Sequence, residues 1–244
     1  MEILFIVLGL VLSLVEAFVV YKGVWNTRRA SLLQRLPLSR IGELEEPGLV
    51  KVLGRAVALE GTFRSPLANR PCLYFHFQVQ EKRQRHAGPH GGGGAYWKTV
   101  INDAQSLPCA IDDGTGEIEL RLDQAEFELM PDDDERSGFL NTARPELEAM
   151  LQKDYGYSSV GLIFNRTLSY QETRIEAGDE LLVVGTVRQT GDDAWELVRG
   201  RGPLLVSNKS QRDLRASYAN AAVGWWLLAV LMPVVVGVVY VFVR

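Results

Sequence analysis

Apolar positions gather at the two ends of the chain and leave a polar, strand-patterned stretch between them. Residues 221–243 form an apolar run punctuated by Gly224, Pro233 and Gly237 and closed by Arg244. A helix of that length reaches about 34 Å, enough to cross a hydrocarbon core of about 30 Å with some tilt. Trp225 and Trp226 mark its near end and Tyr240 its far end, the levels at which amphipathic rings settle against headgroups. Pro233 breaks a helix in water but is tolerated in a span. A second apolar run covers residues 3–21. It has neither the leading positive charge nor the trailing small-residue cleavage site of a signal peptide, so it predicts a permanent anchor.

The middle of the chain changes period. In GLVKVLGRAVALEGT, residues 48–62, Val50, Val52, Ala56 and Ala58 alternate with other positions between glycines, as half-buried strands do. After Pro71, CLYFHFQVQEK sets Leu73, Phe75, Phe77 and Val79 on one strand face and Cys72, Tyr74, His76 and Gln78 on the other. RQRHAGPHGGGG then predicts a long exposed hairpin tip, with a returning strand at residues 97–101. CAIDDGTGEIELRL is the clearest hairpin: Asp113-Gly114 and Thr115-Gly116 supply turn conformations between Ala110-Ile111 and Ile118, Leu120, Leu122. Residues 132–135 read as a loop, Pro145 opens a short helix closed by Gly156, and residues 168–198 read as two or three strands turning at Gly178 and Gly191. The segments GLVKVLGRAV and GDELLVVGTV echo each other. Many short strands with one or two helices predict an α+β fold leaning to all-β, a small barrel or sandwich flanked by two transmembrane helices. The predicted organisation is an anchor at 1–22, a basic connector at 23–42, a β-rich domain at 43–210, a basic linker at 211–220 and a second span at 221–244.

Charge adds orientation. Lys22, Arg28, Arg29 and Arg35 follow the first span and Lys209, Arg212 and Arg215 precede the second, whereas Arg244 and the amino terminus lie beyond them. The positive-inside rule then predicts a cytoplasmic domain with both termini outside, in a bacterial plasma membrane, and basic clusters near anionic headgroups. The lipid bilayer is thus the first expected partner. A net charge of −4 over 244 residues argues against general nucleic-acid binding, which needs clustered cations. Glu16 is the one charge inside the first run. Antiparallel spans would bring it level with Trp225 and Trp226, so its carboxylate is expected either to accept an indole N–H or to reach the headgroups.

Candidate chemistry is sparse. Cys72 and Cys109 would form one bridge in an oxidising compartment or remain two buried thiols, the preferred reading. Cys72 and His76, with His86 and His90 from the glycine-rich loop, are four nominal zinc ligands, set against a plain reading of exposed histidines. Asp132, Asp133, Asp134 and Glu135 lack the spaced oxygens of a calcium loop, and residues 91–94 lack the Lys-Ser/Thr of a phosphate loop. Asp112, Glu117, Glu119 and Glu172 do acid-base work only in a shared cleft, which a sequence does not display. No catalytic residue and no cofactor is assigned.

The order of features resembles the GIDE domain, the membrane-adjacent domain of the mitochondrial ubiquitin ligase family and of shorter prokaryotic relatives. The resemblance rests on an N-terminal span, VKVLGRAV, the Pro71-Cys72-Leu73-Tyr74-Phe75 strand opening, Trp97, IDDGTGEIEL, SYQETRIEAGDELLVVGTV, and Leu205-Val206-Ser207-Asn208-Lys209-Ser210 before a second span. The resemblance implies a ligase relationship, and the eukaryotic members carry a RING finger after the second span. That module holds two zinc ions with eight Cys/His ligands, whereas these 244 residues contain two cysteines and three histidines. The expectation is a non-catalytic, membrane-tethered module that binds a protein partner; the alternative is a ligase component whose catalytic module comes from another chain.

Overall fold

A computed structural model describes residues 2–84, 94–137, 144–159, 166–190 and 194–243. They fall into two compact units, one of Met1–Leu38 with Lys209–Arg244 and one of Ser39–Asn208. The first unit holds two long helices, α1 (Glu2–Arg35) and α3 (Gln211–Val243). The second holds the helix α2 (Pro145–Tyr155) and is otherwise strand-rich. In chain order its strands are β1 (Gly48–Ala58), β2 (Phe63–Arg64), β3 (Pro71–Cys72), β4 (Tyr74–Gln84), β5 (Ala95–Ser106), β6 (Cys109–Asp112), β7 (Glu117–Leu120), β8 (Glu126–Phe127), β9 (Asp133–Ser137), β10 (Leu168–Ile175), β11 (Glu180–Gln189), β12 (Trp195–Val198) and β13 (Leu205–Ser207).

Strands β1, β6, β7, β12 and β11 follow one another around a sheet that returns to β1, so the sheet closes as a barrel, with β13 and β8 extending from β11. The closing pair is β1 with β11, antiparallel from Gly48↔Val187 to Arg55↔Glu180. These are the two echoing segments: each presents the same alternation because each is half of one ladder, and no repeat is needed to explain the likeness. Val50, Val52, Ile111, Ile118, Val183 and Leu197 are among the residues that fill the interior. Gly54 sits at a tight approach, where a Cβ would lie 2.6 Å from the Asp112 carbonyl oxygen. The β6–β7 turn follows its predicted chemistry. Asp113 accepts N–H bonds from Thr115 and Gly116, and Gly114 takes the left-handed conformation at φ +80°. The same carboxylate accepts the Ile41 N–H at 2.8 Å, which docks the short 3-10 turn Ile41–Glu43 on the hairpin.

A separate four-stranded sheet has the order β5-β4-β10-β9. Its inner face, Phe75, Phe77, Val79, Ile101, Leu168 and Tyr170, packs on Leu147 and Leu151 of α2. Pro145 stands in the first turn of α2 and Gly156 ends it at φ +60°, as the pattern predicts. Two expectations are corrected. Residues 133–137 form the edge strand β9 rather than a loop, because β10 offers them a full antiparallel ladder from Glu172↔Asp133 to Leu168↔Ser137. The strand after Pro71 is broken at Leu73, whose N–H bonds the Ile175 carbonyl, so Leu73 and Tyr74 enter the barrel core while Cys72, Phe75 and Phe77 enter the other. The hairpin tip at 85–93 and the turn at Gly191 lie outside the described residues.

In the helical unit, α1 and α3 are both long and apolar enough to cross a membrane, over Gly9–Arg35 and Gln211–Val238, with mean hydropathy 1.2 and 2.2. Residues 23–35 of the basic connector and 211–220 of the basic linker continue the helices, and α1 ends just before Pro37. The helices run antiparallel, with Trp25 edge-on to Tyr218, Phe18 edge-on to Trp225, and the Gln211 amide donating to the Leu33 carbonyl. The Arg29 guanidinium lies 4.1 Å from the Trp25 ring centre and donates to the Tyr218 hydroxyl oxygen. Trp226 donates its indole N–H to the Thr27 hydroxyl oxygen at 3.1 Å rather than to Glu16, because a helical side chain leans toward its own N-terminus, which on α3 is away from Glu16.

Candidate functional site

A groove of about 770 Å³ lies on the strand-rich unit. Its walls are α2, the inner side of β5 and the β2–β3 loop. α2 contributes Leu147, Met150 and Asp154, β5 contributes Asp103 and Gln105, and Phe75 forms the floor. Phe63, from the loop side, packs edge-on against Phe75 with ring centres 5.2 Å apart. Tyr155 ties α2 to β5 by donating to Asp103 at 2.8 Å, and burial with that bond holds its hydroxyl above the ordinary tyrosine range. Arg64 and Arg144 stand with Asp103, Glu146 and Asp154, so the lining carries both signs of charge around an apolar floor.

The loop wall is held from behind by a fully buried carboxylate. Glu172 on β10 accepts N–H bonds from Leu67 at 2.6 Å and Ala68 at 3.4 Å. Arg174, two residues along and also buried, donates to Glu172 at 3.3 Å, to Glu176 at 2.7 Å and to Asp133. Burial disfavours the Arg174 cation, but the bonds to Glu176 and Asp133 outweigh it and raise its pKa above the ordinary guanidinium value. Asp132 accepts the Arg174 backbone N–H, and partial desolvation lifts its carboxyl above the usual range. Glu172 and Arg174 are thus buried together with their partners, as such charges must be. The network positions a wall; the Glu172 carboxylate faces backbone and guanidinium rather than the groove.

Of the sequence-predicted zinc candidates, the two within the described residues, Cys72 and His76, lie on different strands, β3 and β4. Cys72 is fully buried, and desolvation, with Glu172 nearby, pushes its thiol up to about 12. His76, which the break at Leu73 separates from Cys72, contacts the Asn102 side-chain oxygen at 2.8 Å through Nε2. His86 and His90 lie outside the described residues. Among the described residues no three His, Cys, Asp or Glu side chains group as metal ligands. Cys109 is a free buried thiol in the barrel core, likewise pushed to about 12 by desolvation. Asp112, Glu117 and Glu119 are exposed on the hairpin, as expected. Arg144, Met150 and Asp103 carried no signal in the sequence: they meet only because α2 crosses β5 from roughly forty residues away.

A family model described as GIDE, E3 ubiquitin ligase, matches residues 78–241, about two thirds of the chain. The chain belongs to the GIDE family. No curated protein matches it. The match runs from within β4 of the GIDE domain through most of α3, taking in the α2 and β5 walls of the groove and the second apolar helix. A zinc-bearing RING does not fit these 244 residues, whose two cysteines are each buried in a different core.

Proposed function

We propose that this protein is a two-span membrane protein that displays its GIDE domain on the cytoplasmic side as a non-catalytic module, with both termini outside, and that a protein partner seats in the groove beside α2. The observation that carries the reading is the groove wall: a fully buried carboxylate clamps the Leu67–Ala68 backbone and so pre-shapes a mixed apolar and charged concavity. The family description supports a ligase relationship, with any transfer chemistry supplied by another chain. Basic residues flanking the two apolar helices on the domain side support the orientation.

The test places a photo-crosslinking residue at Met150 in the groove and, as control, at the exposed Glu117 of the hairpin. In cells, Met150 is expected to capture one discrete partner that Glu117 does not, and Asp154→Arg is expected to abolish the adduct. Equal labelling at both positions sinks the groove. Ubiquitin transfer by the purified chain with only activating and conjugating enzymes present sinks the non-catalytic role.

A further inference from the structure

Strand β5 is twelve residues long and ends the four-stranded sheet, and among the described residues no strand pairs with its outer edge. A long open edge is a template for another strand and is normally protected by charge or a bulge. β5 has both, and their arrangement is informative. The ladder with β4 runs Phe77↔Asp103, Val79↔Ile101, then shifts register so that Gln80↔Thr99 and Glu81↔Lys98. Val100 is the extra residue. Without that shift Lys98 and Asp103, five apart, would point to opposite faces; with it both stand opposite odd-numbered residues of β4 and share the inner face.

We propose that β5 is a homodimer interface, in which two copies of the chain join their four-stranded sheets along antiparallel β5 strands in the register that sets Lys98 opposite Asp103 of the other copy. The charge pattern is self-complementary in this register alone. A two-fold axis between Val100 and Ile101 makes the Lys98–Asp103 pair twice, aligns Thr99 with Asn102 and Trp97 with Ala104 on the outer face, and leaves no like charges opposed. Sliding by five residues one way opposes the two Lys98 side chains, and the other way the two Asp103 side chains. Lys98 and Asp103 therefore favour this pairing and disfavour the registers five residues to either side, and the result is a continuous eight-stranded sheet in which the long edge of each copy covers the other.

The experiment uses the full chain in detergent micelles. Sedimentation equilibrium is expected to give a monomer–dimer equilibrium. Lys98→Asp and Asp103→Lys should each weaken it by about tenfold, while the double exchange restores it to within about threefold of the starting chain. Because Asp103 also accepts from Tyr155, a second measurement is independent of it: chains carrying Thr99→Cys mixed with chains carrying Asn102→Cys should form a disulfide-linked heterodimer under mild oxidation. A monomer at every concentration, which leaves the edge to a different protein's strand, overturns the proposal. So does a dimer indifferent to Lys98→Asp, or the absence of the cross-link.

Discussion

Glu172 shows how much one side chain organises. It is fully buried, yet three of its neighbours depend on it: the Leu67 and Ala68 N–H groups and the Arg174 guanidinium. Removing one partner of a buried charge set leaves the other uncompensated, at a cost of about 3–5 kcal/mol. Glu172→Ala is therefore expected to lower stability by about that amount in urea unfolding followed by circular dichroism. Glu172→Gln keeps an acceptor for the Leu67 N–H and should cost about 1–3 kcal/mol. In the sequence this residue is one acid in SYQETRI, indistinguishable from a solvated position. What hides it is distance along the chain: its side-chain partner Leu67 and its ladder partner Asp133 lie about 105 and 40 residues away. The turn chemistry of Asp113 and Gly114 is legible because every bond it makes within the hairpin is local.

At the level of elements, short-range patterns predict well and pairings do not. The alternation of β1, the β6–β7 hairpin and the proline-to-glycine span of α2 are all visible as periodicity and punctuation. Strand β9 is not, since DDERS has neither alternation nor strand propensity and is strand only because β10 holds it. The helical continuation through residues 23–35 is also hidden by its charge, which reads as connector although Lys and Arg are good helix formers. The approach of β6 to β1 is tight at Gly54, where a methyl group meets the Asp112 carbonyl oxygen and Ile111 Cγ2 at 2.6 Å. Backbone on the facing strand cannot yield, so Gly54→Ala should lower the unfolding free energy by about 1–3 kcal/mol in thermal denaturation. Gly48→Ala, on the same strand with open space around it, should change it by less than about 0.5 kcal/mol.

For the molecule as a whole, the strand-rich unit holds two cores, and each carries one thiol: Cys109 in the barrel and Cys72 beneath the four-stranded sheet. Burial raises both from an ordinary 9.0 to about 12. A raised folded-state pKa contributes stability that is complete below the unfolded value and lost on rising through the folded one, so both thiols favour folding up to about pH 9 and cease to do so as pH climbs toward 12. Stability is expected to fall across that window, and Cys72→Ala or Cys109→Ala should flatten the fall. Native chains should resist thiol reagents at about pH 8, and labelling rates in partial denaturant should report the opening of the two cores separately.

The ladder that seals the barrel joins strands separated by about 130 residues. A ribosome adding about 5–20 residues per second needs on the order of ten seconds to deliver β11 after β1 has emerged. Throughout that interval the leading apolar helix has already been synthesised, and although β6 can cover one edge of β1 after about 55 residues, the edge that β11 will take stays open. Nascent chains halted before Glu180 should therefore be the form that chaperones hold and proteases cut, and release past Gln189 should end that exposure in a single step.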